Sequence, residues 1–92
     1  MGFEWDEEKR RTNLKKHGFD FVDAPAIFEQ EHVIVLDDRF DYTELRYVAF
    51  GLLHGEVVAV VFVDRPNDAI RFISMRKASS HEAVNFFKQI GD

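Results

Sequence analysis

The 92-residue chain contains no cysteine, which excludes both a disulfide framework and a thiolate metal site and leaves its core to hold by packing alone. That suits a reducing compartment, and a cytoplasmic location is the expectation. The longest apolar run, Val57 to Val63, is far too short to cross a membrane. A signal peptide is not visible either, because the start is polar by Glu4. Basic residues are in deficit: 12 lysines and arginines face 17 acids, a net charge of −5, which argues against a general nucleic-acid binder. With only two prolines and no linker, repeat or low-complexity stretch, residues 1–92 are expected to form one domain.

What the chain does have is aromatic mass and uneven charge. Ten phenylalanines, within an apolar content of 46%, suffice for a single small core. Residues 21–45 hold seven acids (Asp23, Glu29, Glu31, Asp37, Asp38, Asp41, Glu44) against Arg39 alone, a balance of −6 that leaves +1 for the rest. Bases gather at Lys9 to Lys16 and at Arg65 to Lys77, where a local positive surface can form.

Capping and periodicity predict the elements. A first helix should start on Asp6 as cap and stop at Gly18, with Lys15, Lys16 and His17 at its negative end. Leu14 is its only apolar residue, so it lacks an ordinary greasy stripe. Instead Asp6, Lys9, Asn13, Lys16 and His17 share one arc, either as a working face or as cap, backbone partners and solvated charges. A shorter helix is expected over about 20–28, limited by Pro25. Strands follow at 32–36, 44–53, 56–63 and 69–75, with turns at 37–41, 53–56 and 64–68. Ser79 and Glu82 form a capping box before a helix ending at Gly91, whose stripe is Ala83, Phe86, Phe87 and Ile90. The expected fold is α+β in the order α-α-β-β-β-β-α, a mainly antiparallel four-stranded sheet packed by helices.

Several familiar chemistries find no motif. His81-Glu82-Ala83-Val84-Asn85 has Asn85 where a zinc helix needs its second histidine, and Asp37, Asp38 and Asp41 lack the glycine and distal glutamate of a calcium loop. No serine stands in a nucleophile elbow. No metal or cofactor is therefore expected. RNA cleavage through the ribose 2′-hydroxyl stays open, since it needs only cations at the phosphate and a group to move protons. Arg46, Arg71 and Arg76 offer the charge, and Glu44, Lys16 or His17 the proton transfer. Alternatively, Arg71 and Arg76 simply pair with the chain's carboxylates. Being five apart, they share a strand face only if the strand ends or bulges near Met75.

Phe3-x-Trp5-Asp6-x-x-Lys9-x-x-x-Asn13-x-x-Lys16-His17-Gly18, then Phe21-x-x-Ala24, Phe28, Glu44-x-Arg46, Gly51 and Arg71-x-Ile73-Ser74-x-Arg76-x-Ala78 together resemble the BrnT toxin family over residues 3 to about 82. The resemblance implies a RelE-like fold and a ribonuclease toxin of a type II toxin–antitoxin pair that blocks translation. It also implies neutralisation by an antitoxin with a ribbon-helix-helix part, through which alone the chain would meet DNA. By that resemblance the polar set is Lys16, His17, Glu44, Arg46, Arg71, Ser74 and Arg76. The roles assigned are phosphate binding and transition-state charge for Arg71 and Arg76, a supporting cation in Arg46 oriented by Glu44, and proton transfer or substrate contact by His17 or Lys16, with Lys9, Lys16 and Lys77 contacting RNA. Ser74 is expected to hydrogen-bond within the sheet. The net charge of −5 keeps a second reading open, a catalytically weak member that serves as an antitoxin-binding module in a repressor complex.

Overall fold

The computed structural model describes residues 1–38 and 43–91. Asp6 caps the first helix, α1 (Glu7–His17), by accepting from the backbone of Glu8 and Lys9, and Gly18 closes it at φ 80°. A 3-10 turn (Phe21–Asp23) capped by Asp20 and the short helix α2 (Pro25–Phe28) replace the single helix expected over 20–28. Pro25 explains the split: it has no N–H to continue the preceding turn but suits the first turn of a new helix.

Four strands fall near their expected places: β2 (Val33–Leu36), β3 (Tyr47–Leu53), β4 (Glu56–Arg65) and β5 (Ala69–Lys77). A fifth, β1 (Gly2–Glu4), precedes α1 and pairs in parallel with β5. The sheet is thus five-stranded and mixed, in the order β1-β5-β4-β3-β2, and the expected four-stranded antiparallel meander and helix–strand order are corrected accordingly. Three residues are too few to show an alternation, and β1 exists only because the β5 edge is there to receive it. The β3–β4 hairpin turns on His54 and Gly55, at φ 52° and 81°, the backbone handedness that a two-residue loop demands. The expected turn at 37–41 lies partly outside the described residues.

One face of the sheet carries the main core. Ala49, Val58, Val60, Phe62, Ile70, Phe72 and Met75 meet Phe21, Ala24 and Ile27 there, and Trp5 stacks on Phe72 at 5.9 Å between ring centres. On the other face, α3 (Ser80–Gly91) buries Phe86 against Val57 and Ala78. Its capping box forms as expected: Ser79 N–H donates to Glu82 at 2.8 Å, and Glu82 N–H donates to Ser79 Oγ at 3.1 Å. Among the described residues no helix is long and apolar enough to cross a membrane.

Gly51 lets α2 approach the sheet. A Cβ at this position would lie 2.6 Å from Ile27 Cγ2, and Ile27 is fully buried and β-branched, with little freedom to move aside. Gly51→Val is expected to lower stability by about 2–4 kcal/mol, read as the shift in urea midpoint, whereas Gly55→Asn in the open turn should cost under about 1 kcal/mol.

Candidate ribonuclease site

Asn13 explains how a helix without an apolar stripe is held. It is buried on α1 and faces the edge of β5 beyond the point where β1 ends. Its side-chain amide donates to Met75 O at 2.8 Å and accepts from Met75 N at 3.0 Å, reproducing the pair of bonds a neighbouring strand would make. A further bond runs from Asn13 Nδ2 to Phe19 O at 3.2 Å. The docked helix leaves a groove of about 490 Å³ lined by Lys9, Lys16 and His17 from α1 and by Ile73 and Ser74 from β5. Asp6 and Asn13 line it too, so all five polar residues of the expected arc share this groove, and the cap and backbone-partner roles of Asp6 and Asn13 hold as well.

The strand itself decides where the arginines point. Val61 pairs with Ser74 while Phe62 pairs with Phe72, so Ile73 is an extra residue in β5 and the register shifts there. This bulge resets the alternation. Ile70, Phe72 and Met75 all reach the main core, while Arg71, opposite Val63, and Ser74 and Arg76, opposite Val61 and Ala59, take the other face. Without Ile73, Arg71 and Arg76 would lie on opposite faces; with it they flank Ser74 on one.

Carboxylates hold both arginines. Arg71 Nη1 donates to Glu4 at 3.0 Å, and Arg76 makes a forked pair with Glu82 at 2.8 and 3.1 Å. The Arg76 guanidinium, aided by the Ser79 backbone and hydroxyl, holds the Glu82 carboxyl down to about 2 despite its partial burial. Pairing with carboxylates is thus realised at both positions.

The other candidates are spread more widely. Arg46 stands one residue before β3 and lies 3.9 Å from Glu44. Its backbone position continues the row of Val63 and Arg71, on the same sheet face as Arg71 but two strands away, about 10 Å at ordinary strand spacing. Glu44, Arg46, Arg71 and Arg76 do not line the groove under α1, which Ser74 alone of the polar set on β5 reaches. Lys77 takes the opposite face from Arg76, across from Val58, and its ammonium lies 3.4 Å from Glu56. Sequence reasoning missed the pairing of Glu4 and Glu82 with the arginines. Glu82 was legible as a cap, but which cation it faces depends on where α3 lands. Among the described residues no group of three or more His, Asp or Glu side chains converges as a metal site.

Comparison with known proteins decides the family. Residues 5–82 match the family model described as the ribonuclease toxin, BrnT, of type II toxin–antitoxin systems. The chain belongs to the BrnT family. The crystal structure of the Brucella abortus ribonuclease toxin BrnT superposes with a TM-score of 0.69 at 35% identity, covering 87% of this chain and 99% of that one. No curated protein matches the chain. Membership in BrnT brings with it a toxin–antitoxin context and hence an antitoxin partner. The Asn13 dock, the β5 bulge and the groove under α1, where Asp6 and Glu8 stand with Lys9 and Lys16, all lie within the span that matches the BrnT model.

Proposed function

We propose that the chain is a metal-independent endoribonuclease of RelE-like fold, which blocks translation in the cytoplasm until an antitoxin with a ribbon-helix-helix part neutralises it. The observation that carries this reading is the bulge at Ile73, which aligns Arg71, Ser74 and Arg76 on one face beside the groove of Lys9, Lys16 and His17. In the proposed reaction the ribose 2′-oxygen attacks the adjacent phosphorus and the bond to the 5′-oxygen breaks. The products are a 2′,3′-cyclic phosphate and a 5′-hydroxyl. Arg71 and Arg76 take up the charge growing on the phosphoryl oxygens, which a planar fork of donors matches better than a point charge. His17 moves the proton between the 2′-hydroxyl and the leaving oxygen, and Lys9 and Lys16 track the RNA backbone. Arg46, oriented by Glu44, supports the strand further along the same sheet face, and Lys77 contacts RNA only if the substrate wraps the strand end.

The test is a cleavage assay on defined RNA in EDTA. Cyclic phosphate and 5′-hydroxyl ends are expected, with Arg71→Ala lowering the rate by about 10²-fold. Strict dependence on added Mg²⁺, or 3′-hydroxyl products, would overturn the reading. Growth arrest on induction of the chain alone, relieved by Arg71→Ala, is the matching result in cells.

A further inference from the structure

We propose that the outer edge of β2 and the apolar groove beside it are the anchor point for a basic, extended segment of the antitoxin. The proposal rests on family membership and is independent of the cleavage chemistry. β2 is the last strand in the sheet order, so its outer edge has no strand partner among the described residues. Asp37 N–H donates to Arg46 O at 2.8 Å, which turns the backbone groups of Asp37, Val35 and Val33 toward β3. By the alternation of an antiparallel ladder, the N–H and C=O groups of Ile34 and Leu36 therefore point outward.

The side chains of those two residues are also uncovered. Ile34 is 47% and Leu36 52% exposed, both on the main-core face that carries α2, and Val35 on the α3 face is 40% exposed. Edge strands are ordinarily guarded by a charge, a proline or a bulge, and Val33–Leu36 has none of these. Beside it opens a groove of about 300 Å³ lined by Phe28, His32, Ile34, Tyr47, Phe62 and Ile70. An added strand would satisfy the outward backbone groups and set alternate apolar side chains into this groove.

Charge selects the occupant. Glu29, Glu31 and Asp38, all exposed, bracket β2 with no lysine or arginine between them, and Asp64 sits at the groove. Two copies of this chain pairing along β2 would bring those acids together, a like-charge contact that costs affinity. A partner strand flanked by lysine or arginine meets them with opposite sign. This edge lies at the far side of the sheet from β5, so it anchors the antitoxin without occupying the arginine face itself.

Amide hydrogen exchange on the unmodified full chain, alone and in complex with its cognate antitoxin, tests the site. Ile34 and Leu36 amides are expected to exchange quickly in the free chain and to slow by about 100-fold or more in the complex. The double variant Ile34→Lys, Leu36→Lys should bind the antitoxin about 30-fold more weakly or worse, yet arrest growth as the parent does and escape rescue by coexpressed antitoxin. Val84→Lys on the exposed face of α3 is the control and should leave affinity unchanged. Unchanged exchange at Ile34 and Leu36 in the complex, protection confined to α1 or α3, or protection of these amides in a dimer of the chain alone would each overturn the proposal. Cleavage by the isolated chain is scored separately, so loss of antitoxin binding and loss of ribonuclease activity are told apart.

Discussion

Arg76→Ala is expected to lower the single-turnover rate of RNA cleavage by about 10²- to 10³-fold, the scale on which removal of one preorganised charge donor acts. Glu82→Gln is expected to act on binding instead. Glutamine can still serve the capping box, so α3 keeps its start, while the carboxylate that competes with phosphate for the Arg76 guanidinium is gone. RNA should then bind several-fold more tightly with little change in the chemical step. If Glu82 were instead the group that aims Arg76, Glu82→Gln would reduce the rate alongside Arg76→Ala, and the competition model would fail.

The same pair makes a signed prediction for pH. Glu82 is held at about 2, below its ordinary value of 4.5, mainly by the Arg76 hydrogen bonds. A depressed carboxyl contributes stability that is fully present above the ordinary value and is lost as pH falls toward the folded one. Stability of the parent should therefore drop between about pH 4.5 and pH 2, by about 1–2 kcal/mol once partial exposure of the pair is allowed for. Glu82→Gln should flatten that part of the acid-unfolding curve. Above pH 5 Glu82 is fully ionised, so any limb in the cleavage profile there must come from another group, and loss of that limb in His17→Gln would assign it.

Asn13→Ala is expected to be among the most damaging single changes to stability, about 2–4 kcal/mol, because it strands both the N–H and the C=O of Met75 in a buried position. Asn13→Asp should be no milder. It keeps an acceptor for Met75 N but turns a carboxylate toward the carbonyls of Met75 and Phe19, where the native amide donates. Leu14→Ser, by contrast, should cost under about 1 kcal/mol, since Leu14 is 39% exposed and the helix is not held by apolar packing on that side. Urea unfolding measures all three. The Asn13 variants should also lose cleavage beyond their loss of folded protein, as Lys9, Lys16 and His17 reach the groove only while α1 is docked; full activity in the folded fraction of Asn13→Ala would refute that link.

Local signals carried far in this chain. Asp6, Gly18, Ser79 and Glu82 mark helix ends because a cap is a contract between residues a few positions apart. The His54-Gly55 turn is equally local. The polar arc of α1 was legible as a face, and its lack of apolar residues signalled an unusual dock. What it docks against was not, because Asn13 and Met75 are 62 positions apart and meet only when β5 presents an open edge. β1 escaped notice for the same reason: Gly2–Glu4 becomes a strand only through a partner 67 positions away.

Sequence alone therefore determined the elements bounded by short-range caps and turns, the acidic middle, the two basic clusters and the likeness to BrnT toxins. It also stated the condition for the arginines to act together, a bend or bulge in the last strand. Only the tertiary structure decided that the bulge falls at Ile73, one residue before Ser74, because register is set by which cross-strand neighbours fill the core, here Phe62 with Phe72 and Val60 with Met75. Tertiary placement likewise set Glu4 and Glu82 on the arginines and left the outer edge of β2 without a strand partner among the described residues. Burial and pairing over long sequence distances chose these features, and no window of neighbouring residues contains them.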